Sequence, residues 1–293
     1  MSAATAAGGV RAGTMTASTR AGVVVRAYIG GQIDVLNRAI AQTQRYEPGS
    51  VGLTRATVHR IRTAVRGYRH LFVHPPYGGP QLERLLAALK RTEDLEALRV
   101  HFADRFDELD LAAADRPHWY GALKSEQDAA YRQIDRISTQ AWVAALLGQV
   151  RVFADRAELT RDGRAPAASL MGTLTQAKTH LLDTYAKLHY AEDLTAARDK
   201  ARQAARFARY MAEAARPGLG RAADGVIVPA ADLEHLLRQY RQAAIARNWL
   251  LRLPDTDRAG RLNTVLMELE QRQLHRLGEE TDEVAAATVE LWR

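Results

Sequence analysis

The sequence predicts an all-α fold, and three observations carry that expectation. Apolar residues recur at helical spacing over long segments. Sustained alternation of the kind strands need is missing. Clusters of Pro and Gly cut the chain sharply between those segments, at YEPGSVG (46–52), HPPYGGP (74–80), DRP (115–117), RDGRAP (161–166), RPGLGRAADG (216–225) and RLPD (252–255).

Taken in order, the first helix is expected over about 20–44. It contains VVV (23–25), a run too short to argue for a sheet, and stops before YEPGSVG. The second, 54–73, carries Ile61, Val65, Tyr68 and Phe72 as a buried stripe. It ends where His74 precedes Pro75, because the residue before proline avoids helical angles. The third, 80–111, holds the block LERLL (82–86) and gives way to DRP. The fourth stretch, 117–158, is expected to break once, and its segment TQAWVAALLGQV (139–150) reads as core, with an interaction surface as the alternative. RDGRAP then divides four helical segments from four more. Those are 167–190; 192–216, with Ala201, Ala205, Ala208 and Ala212 on one face; 230–253, with the block LEHLL (233–237); and 257–291. VIV (226–228) is again too short for a strand, and the acids Glu279, Glu280, Asp282 and Glu283 read as a solvated helix face. Residues 1–19 are rich in Ala, Gly, Thr and Ser without a continuous apolar core, so they read as a disordered tail rather than a signal peptide.

Composition narrows the function. A chain of 293 residues with 47% hydrophobic and 26% charged residues can bury a sizeable core. No apolar run approaches the ~20 residues of a membrane span, so no membrane insertion is expected. Cysteine is absent, which removes disulfides, thiolate nucleophiles and Cys-type zinc sites. Together with the missing export signal this fits the cytoplasm. The 41 Lys and Arg outnumber 34 Asp and Glu, the pI is 9.8, and an acidic partner follows.

The cations are concentrated. Residues 57–72 read TVHRIRTAVRGYRHLF, with four arginines, two histidines and no acid. Positions 0, +3, +7 and +10 of a helix fall within an arc of ~80°, which puts His59, Arg62, Arg66 and Arg69 on one face, with Arg55 extending the row. RDKARQAARFARYMA (198–212) aligns beneath VHRIRTAVRGYRHLF (58–72) without a gap. Arg202, Arg206 and Arg209 then match Arg62, Arg66 and Arg69, and Lys200 matches Arg60. LEHLL (233–237) follows the second block as LERLL (82–86) follows the first, and Lys90 aligns with Arg241. Two related four-helix halves, about 20–158 and 167–291, are therefore expected. Their basic stripes would face each other across the junction. Unpaired buried cations cost several kcal/mol each, so the stripes must border solvent or hold an anion, and guanidinium forks suit phosphate oxygens. The competing reading is a plain solvated face, with Arg stems covering apolar surface.

The pattern V-H-x-x-R-x-A-x-R-x-x-R at 58–69, the D-L-E at 94–96 and KARQAARFARY at 200–210 resemble the CHAD domain, the conserved histidine α-helical domain. The likeness spans residues 20–291 as a single domain of two halves. It implies two four-helix bundles related by pseudo-two-fold symmetry, binding of inorganic polyphosphate between them, and no catalytic centre. Carried over by position, the binding residues are His59, Arg62, Arg66, Arg69, Arg202, Arg206 and Arg209, with Arg55, Lys200, Lys90, Arg238 and Arg241 added from the stripes and the helices that follow them. The chain departs from the family pattern at Gly67, Glu93, Asp199 and Ile245.

Other chemistry finds little support. His70 and His74 have i,i+4 spacing, but Pro75 ends the helix there and no carboxylate stands nearby in sequence. Phosphate loops, G-x-S-x-G elbows and H-E-x-x-H are missing, so no catalytic residue, metal or cofactor is assigned and the chain reads as a non-enzyme. Three readings stand: a polyphosphate binder, a binder of nucleic acid or any polyanion, and an adaptor docking on a protein or on polyphosphate or storage granules. Single-strand binders add aromatic platforms, and only Tyr210 lies near a stripe, which favours a polyanion without bases.

Overall fold

In the computed structural model, which describes residues 15–76, 79–258 and 260–292, the chain is helical throughout. The helices are α1 (Ala21–Gln44), α2 (Ser50–Gly67), α3 (Gly79–Glu108), α4 (His118–Ser138), α5 (Ala141–Arg156), α6 (Arg161–Arg164), α7 (Leu170–Ala186), α8 (Leu194–Leu219), α9 (Arg221–Leu251), α10 (Asp255–Arg258) and α11 (Arg261–Trp292). Extended pairing among the described residues is limited to two isolated bridges, Arg20 with Pro166 and Phe72 with Leu159. None of the described helices is long and apolar enough to cross a membrane.

The all-α architecture is as the sequence predicts, and the break inside 117–158 falls between Ser138 and Ala141. Three boundaries move. α2 opens at Ser50 because Gly49 takes a left-handed φ of 74° just before it, so the Pro-Gly signal marks the helix start itself. It ends at Gly67, and Arg69–Leu71 continue as a single 3₁₀ turn. α9 begins at Arg221, well before 230, and carries Pro229 within it. A proline inside a helix costs ~3 kcal/mol; burial of Ala223, Val226, Ala230 and Leu233 on the same helix offsets it. The turn between α8 and α9 is confined to Gly220, with φ 55°.

The tail expected over 1–19 falls outside the described residues for 1–14. Residues 15–20 fold back, with Thr19 and Ala17 accepting backbone bonds from Ala167 and Ala168 at 2.7 and 3.1 Å. The segment between the two sets of helices is equally tied down. Thr160 caps α6 by accepting from the Gly163 amide, donates its own amide to the Leu71 carbonyl at 3.0 Å, and Val73 donates to the Glu158 carbonyl at 3.0 Å.

One large core joins α1, α2, α5, α7, α8 and α9 with the ends of α3, α4 and α11. A second, aromatic cluster lies where the far end of α3 (Phe102, Phe106) meets Trp119 and Leu123 of α4, Leu250 of α9 and Leu266 of α11. α8 sits at the centre, touching α1, α2, α7 and α9. Ala201, Ala205, Ala208 and Ala212 are all fully buried on it, and their small side chains let its neighbours approach closely.

Candidate functional site

α2, α3, α9 and α8 contact one another pairwise in a closed ring. Inside it lies a cavity of about 480 Å³ whose polar lining is dominated by arginine. Arg55 and Arg60 come from α2, Arg202, Arg206 and Arg209 from α8, and Arg238 and Arg241 from α9; the carboxylates facing them are Glu93, Asp94 and Glu234. The amphipathic pattern that buries the alanine face of α8 is what turns its arginines inward to this space.

Hydrogen bonds or ion pairs hold each side of the ring. Arg55 pairs with Glu93 between α2 and α3. Arg241 grips Asp94 between α9 and α3 as a two-pronged fork, both bonds 2.9 Å. Between α8 and α9, Arg209 Nε lies 3.2 Å from Glu234, and Arg241 Nε lies 3.5 Å from Asp199. Between α2 and α8, Arg60 Nε donates to Glu213 at 2.8 Å. Arg202 turns back along α8 and donates twice to the same oxygen of Asp199. Tyr210 is buried, with the guanidiniums of Arg60 and Arg209 4.9 and 4.8 Å from its ring centre.

The acids and the histidine respond to this field. Burial alone would raise the Asp94 carboxyl, but the bonds from Arg241 and Lys90 override it and hold the group below its ordinary range. The same contest, won by Arg202, holds Asp199 down. For Glu234 burial wins, and its carboxyl lies above the ordinary value despite Arg209, Arg206, Arg202 and Arg238 around it. His59 is buried first and then surrounded by Arg206, Arg55, Arg62 and Arg202, so its imidazole is pushed down to about 2 and is neutral. Its Nε2 is buried without a hydrogen-bond partner. Burial, then the charges of Arg202 and Arg55, lower the Arg206 guanidinium to about 10. Among the described residues Arg206 makes no ion pair. A cation this disfavoured by its surroundings has the most to gain from an anion beside it.

The structure brings together Arg55, His59, Arg202, Arg206, Arg209, Arg238 and Arg241. It does not bring Arg62, Arg66 and Arg69 to them. Those three line a separate cavity of about 1030 Å³ bounded by α1, α2, α3 and α5. The expected face-to-face arrangement of two whole stripes is therefore corrected: only the first half of the α2 stripe meets α8. The reason is packing at the other half. The Tyr68 hydroxyl donates to the Met211 carbonyl at 2.8 Å, and Gly67 lies so close to Met211 that a Cβ would collide with its side chain. Where the helices touch no groove remains, and Arg62 pairs instead with Glu83 of α3 at 2.7 Å. The departure Gly67 is thus the crossing point of α2 and α8. Lys90 is exposed with its ammonium 2.6 Å from Asp94, at the edge of the cavity. Lys200 is exposed and outside the lining.

Sequence reasoning missed Arg60, Glu213 and Glu234 as parts of the site. Glu93 and Asp199, noticed only as departures, are the partners of Arg55 and Arg202. A signal for Glu234 was present: it is the acid of LEHLL, as Glu83 is of LERLL, and each pairs with an arginine of the preceding stripe, Arg209 and Arg62.

A family model described as CHAD domain matches residues 27–251. The fold is similar to that of the CHAD domain from the plant Ricinus communis, with a TM-score of 0.74 at 15% identity, covering 95% of this chain and 94% of that one. It is similar also to PptA from Streptomyces chartreusis, with a TM-score of 0.71 at 17% identity, over 91% of this chain and 99% of that one. No curated protein sequence matches the chain.

Proposed function

The chain belongs to the CHAD domain family, and on that premise we propose that it binds inorganic polyphosphate, without catalysis, in the arginine-lined cavity between α2, α3, α8 and α9. The observation that carries this reading is Arg206, a half-buried guanidinium without an ion-pair partner among the described residues, next to the unsatisfied Nε2 of a neutral His59. Both lack the same thing, an oxygen acceptor. A phosphate oxygen supplies it to the guanidinium through charge-assisted bonds and to the imidazole when Nε2 carries the proton.

Five of these seven arginines, Arg55, Arg60, Arg202, Arg209 and Arg241, carry carboxylate partners, and a phosphate chain would compete with those carboxylates for the same forks. A nucleic acid fits less well. Bases need exposed aromatic faces, and the aromatic residue of this site, Tyr210, is buried with two guanidiniums against its ring. The same phosphate chemistry would bring the protein to polyphosphate granules.

Calorimetric titration with long-chain polyphosphate, and with single-stranded DNA at matched phosphate, tests the proposal at near-physiological salt. The wild type is expected to bind polyphosphate in preference to DNA. Arg202→Ala/Arg206→Ala, with helicity confirmed by circular dichroism, is expected to lose at least two charge-assisted contacts, each worth about 1.5–3 kcal/mol. Equal binding of both polymers would reduce the site to a generic polyanion cavity, and no binding of either would sink the reading.

A further inference from the structure

The second cavity has a chemistry of its own. Its walls are apolar side chains from four helices, among them Leu36 and Ile40 of α1, Val65 of α2, Leu85 of α3, and Leu147 and Val150 of α5. At about 1030 Å³ it reaches the upper end of the range in which proteins enclose small-molecule ligands. Its charged residues are few and one-sided: Arg62, Arg66 and Arg69 of α2 face a single carboxylate, Glu83, which is taken by Arg62. Arg66 and Arg69 are exposed, and neither has an ion-pair partner among the described residues. A mostly apolar pocket edged by two uncommitted guanidiniums is complementary to one class of molecule, an apolar chain ending in an anion.

We propose that this cavity is a binding site for a single-chain amphiphile with an anionic head, the chain lying among the α1, α2, α3 and α5 side chains and the head held by Arg66 and Arg69. The site is separate from the polyanion cavity, with which it shares no lining residue among those described, and does not depend on what binds there. Carboxylate and phosphate heads share the chemistry that two guanidinium forks recognise.

The test is displacement of a fluorescent fatty acid from the full chain by dodecanoate, dodecyl phosphate and dodecanol, each below its micelle concentration. Both anionic competitors are expected to displace the probe, and dodecanol about ten-fold less well, the size of one lost charge-assisted contact. Preference for dodecanoate would identify a fatty acid as the ligand class, and preference for dodecyl phosphate a phosphate ester. Leu147→Trp, which fills the cavity, is expected to abolish probe binding while leaving polyphosphate titration unchanged. Arg66→Ala/Arg69→Ala, two exposed positions whose loss does not threaten folding, is expected to bring the anions down to the level of dodecanol. The proposal is overturned by failure of the folded wild type to bind the probe, by equal displacement by dodecanol, or by probe binding that survives both variants.

Discussion

His59 shows how strongly a neighbourhood can set the state of one side chain. A histidine within an arginine stripe invites the thought of added positive charge, yet burial beside Arg206, Arg55, Arg62 and Arg202 holds it neutral, with its pKa near 2. The sign of the consequence is fixed by linkage. In the unfolded chain the imidazole titrates near 6.5, so below that pH the unfolded state takes up a proton that the native state refuses. Folding stability contributed by this group is therefore complete above about pH 6.5 and declines as the pH falls towards 2. In His59→Gln the melting temperature is expected to fall less between pH 7 and pH 5 than in the wild type, with the difference read by calorimetry. Identical slopes would mean that His59 protonates freely in the native state. The sequence shows His59 among the arginines of α2. It could not show the protonation state, because that depends on which arginines from α8 come close and on how much water is removed.

At the scale of elements, the helices were legible in outline because Pro and Gly clusters and helical spacing both survive in a single sequence. What was not legible was which half of a stripe meets which neighbour. That is decided by a contact between distant residues, Gly67 against Met211, and no local pattern encodes it. The same holds for the start of α9, where local proline chemistry lost to the burial of Ala223 and Val226. The connector between the two sets of helices makes a similar point. RDGRAP reads as a loose break, but Gly163 sits against the Leu71 carbonyl so tightly that a methyl group there would collide with backbone. Gly163→Ala is expected to destabilise the fold by about 1–3 kcal/mol, as overpacking does, even though alanine favours helix over glycine by ~1 kcal/mol. A thermal melt that matched or exceeded the wild type would show that the connector can shift without loss.

For the whole molecule, the cations that set the net charge of +7 are not spread evenly, since seven arginines converge on one cavity. A ligand that binds this folded arrangement and not the unfolded chain raises stability by an amount set by its concentration, about 2.7 kcal/mol at one hundred times Kd. Polyphosphate is accordingly expected to raise the melting temperature, and added salt to shrink the rise, because screening weakens attraction between cations and a polyanion. A rise that is insensitive to salt, or no rise, would argue against electrostatic capture. Asp199→Asn should move the same measurement upward: it frees Arg202 from its bonds within α8, and a larger stabilisation by polyphosphate than in the wild type is the expected outcome.

The ring of α2, α3, α9 and α8 is braced by polar bonds on every side before any ligand arrives. Arginine is among the side chains that lose most rotamer freedom when fixed, and here much of that loss has already been taken during folding. An arriving anion therefore has little left to organise. If the proposed function holds, the speed of capture would be governed by long-range attraction and by how quickly the resident carboxylates let go.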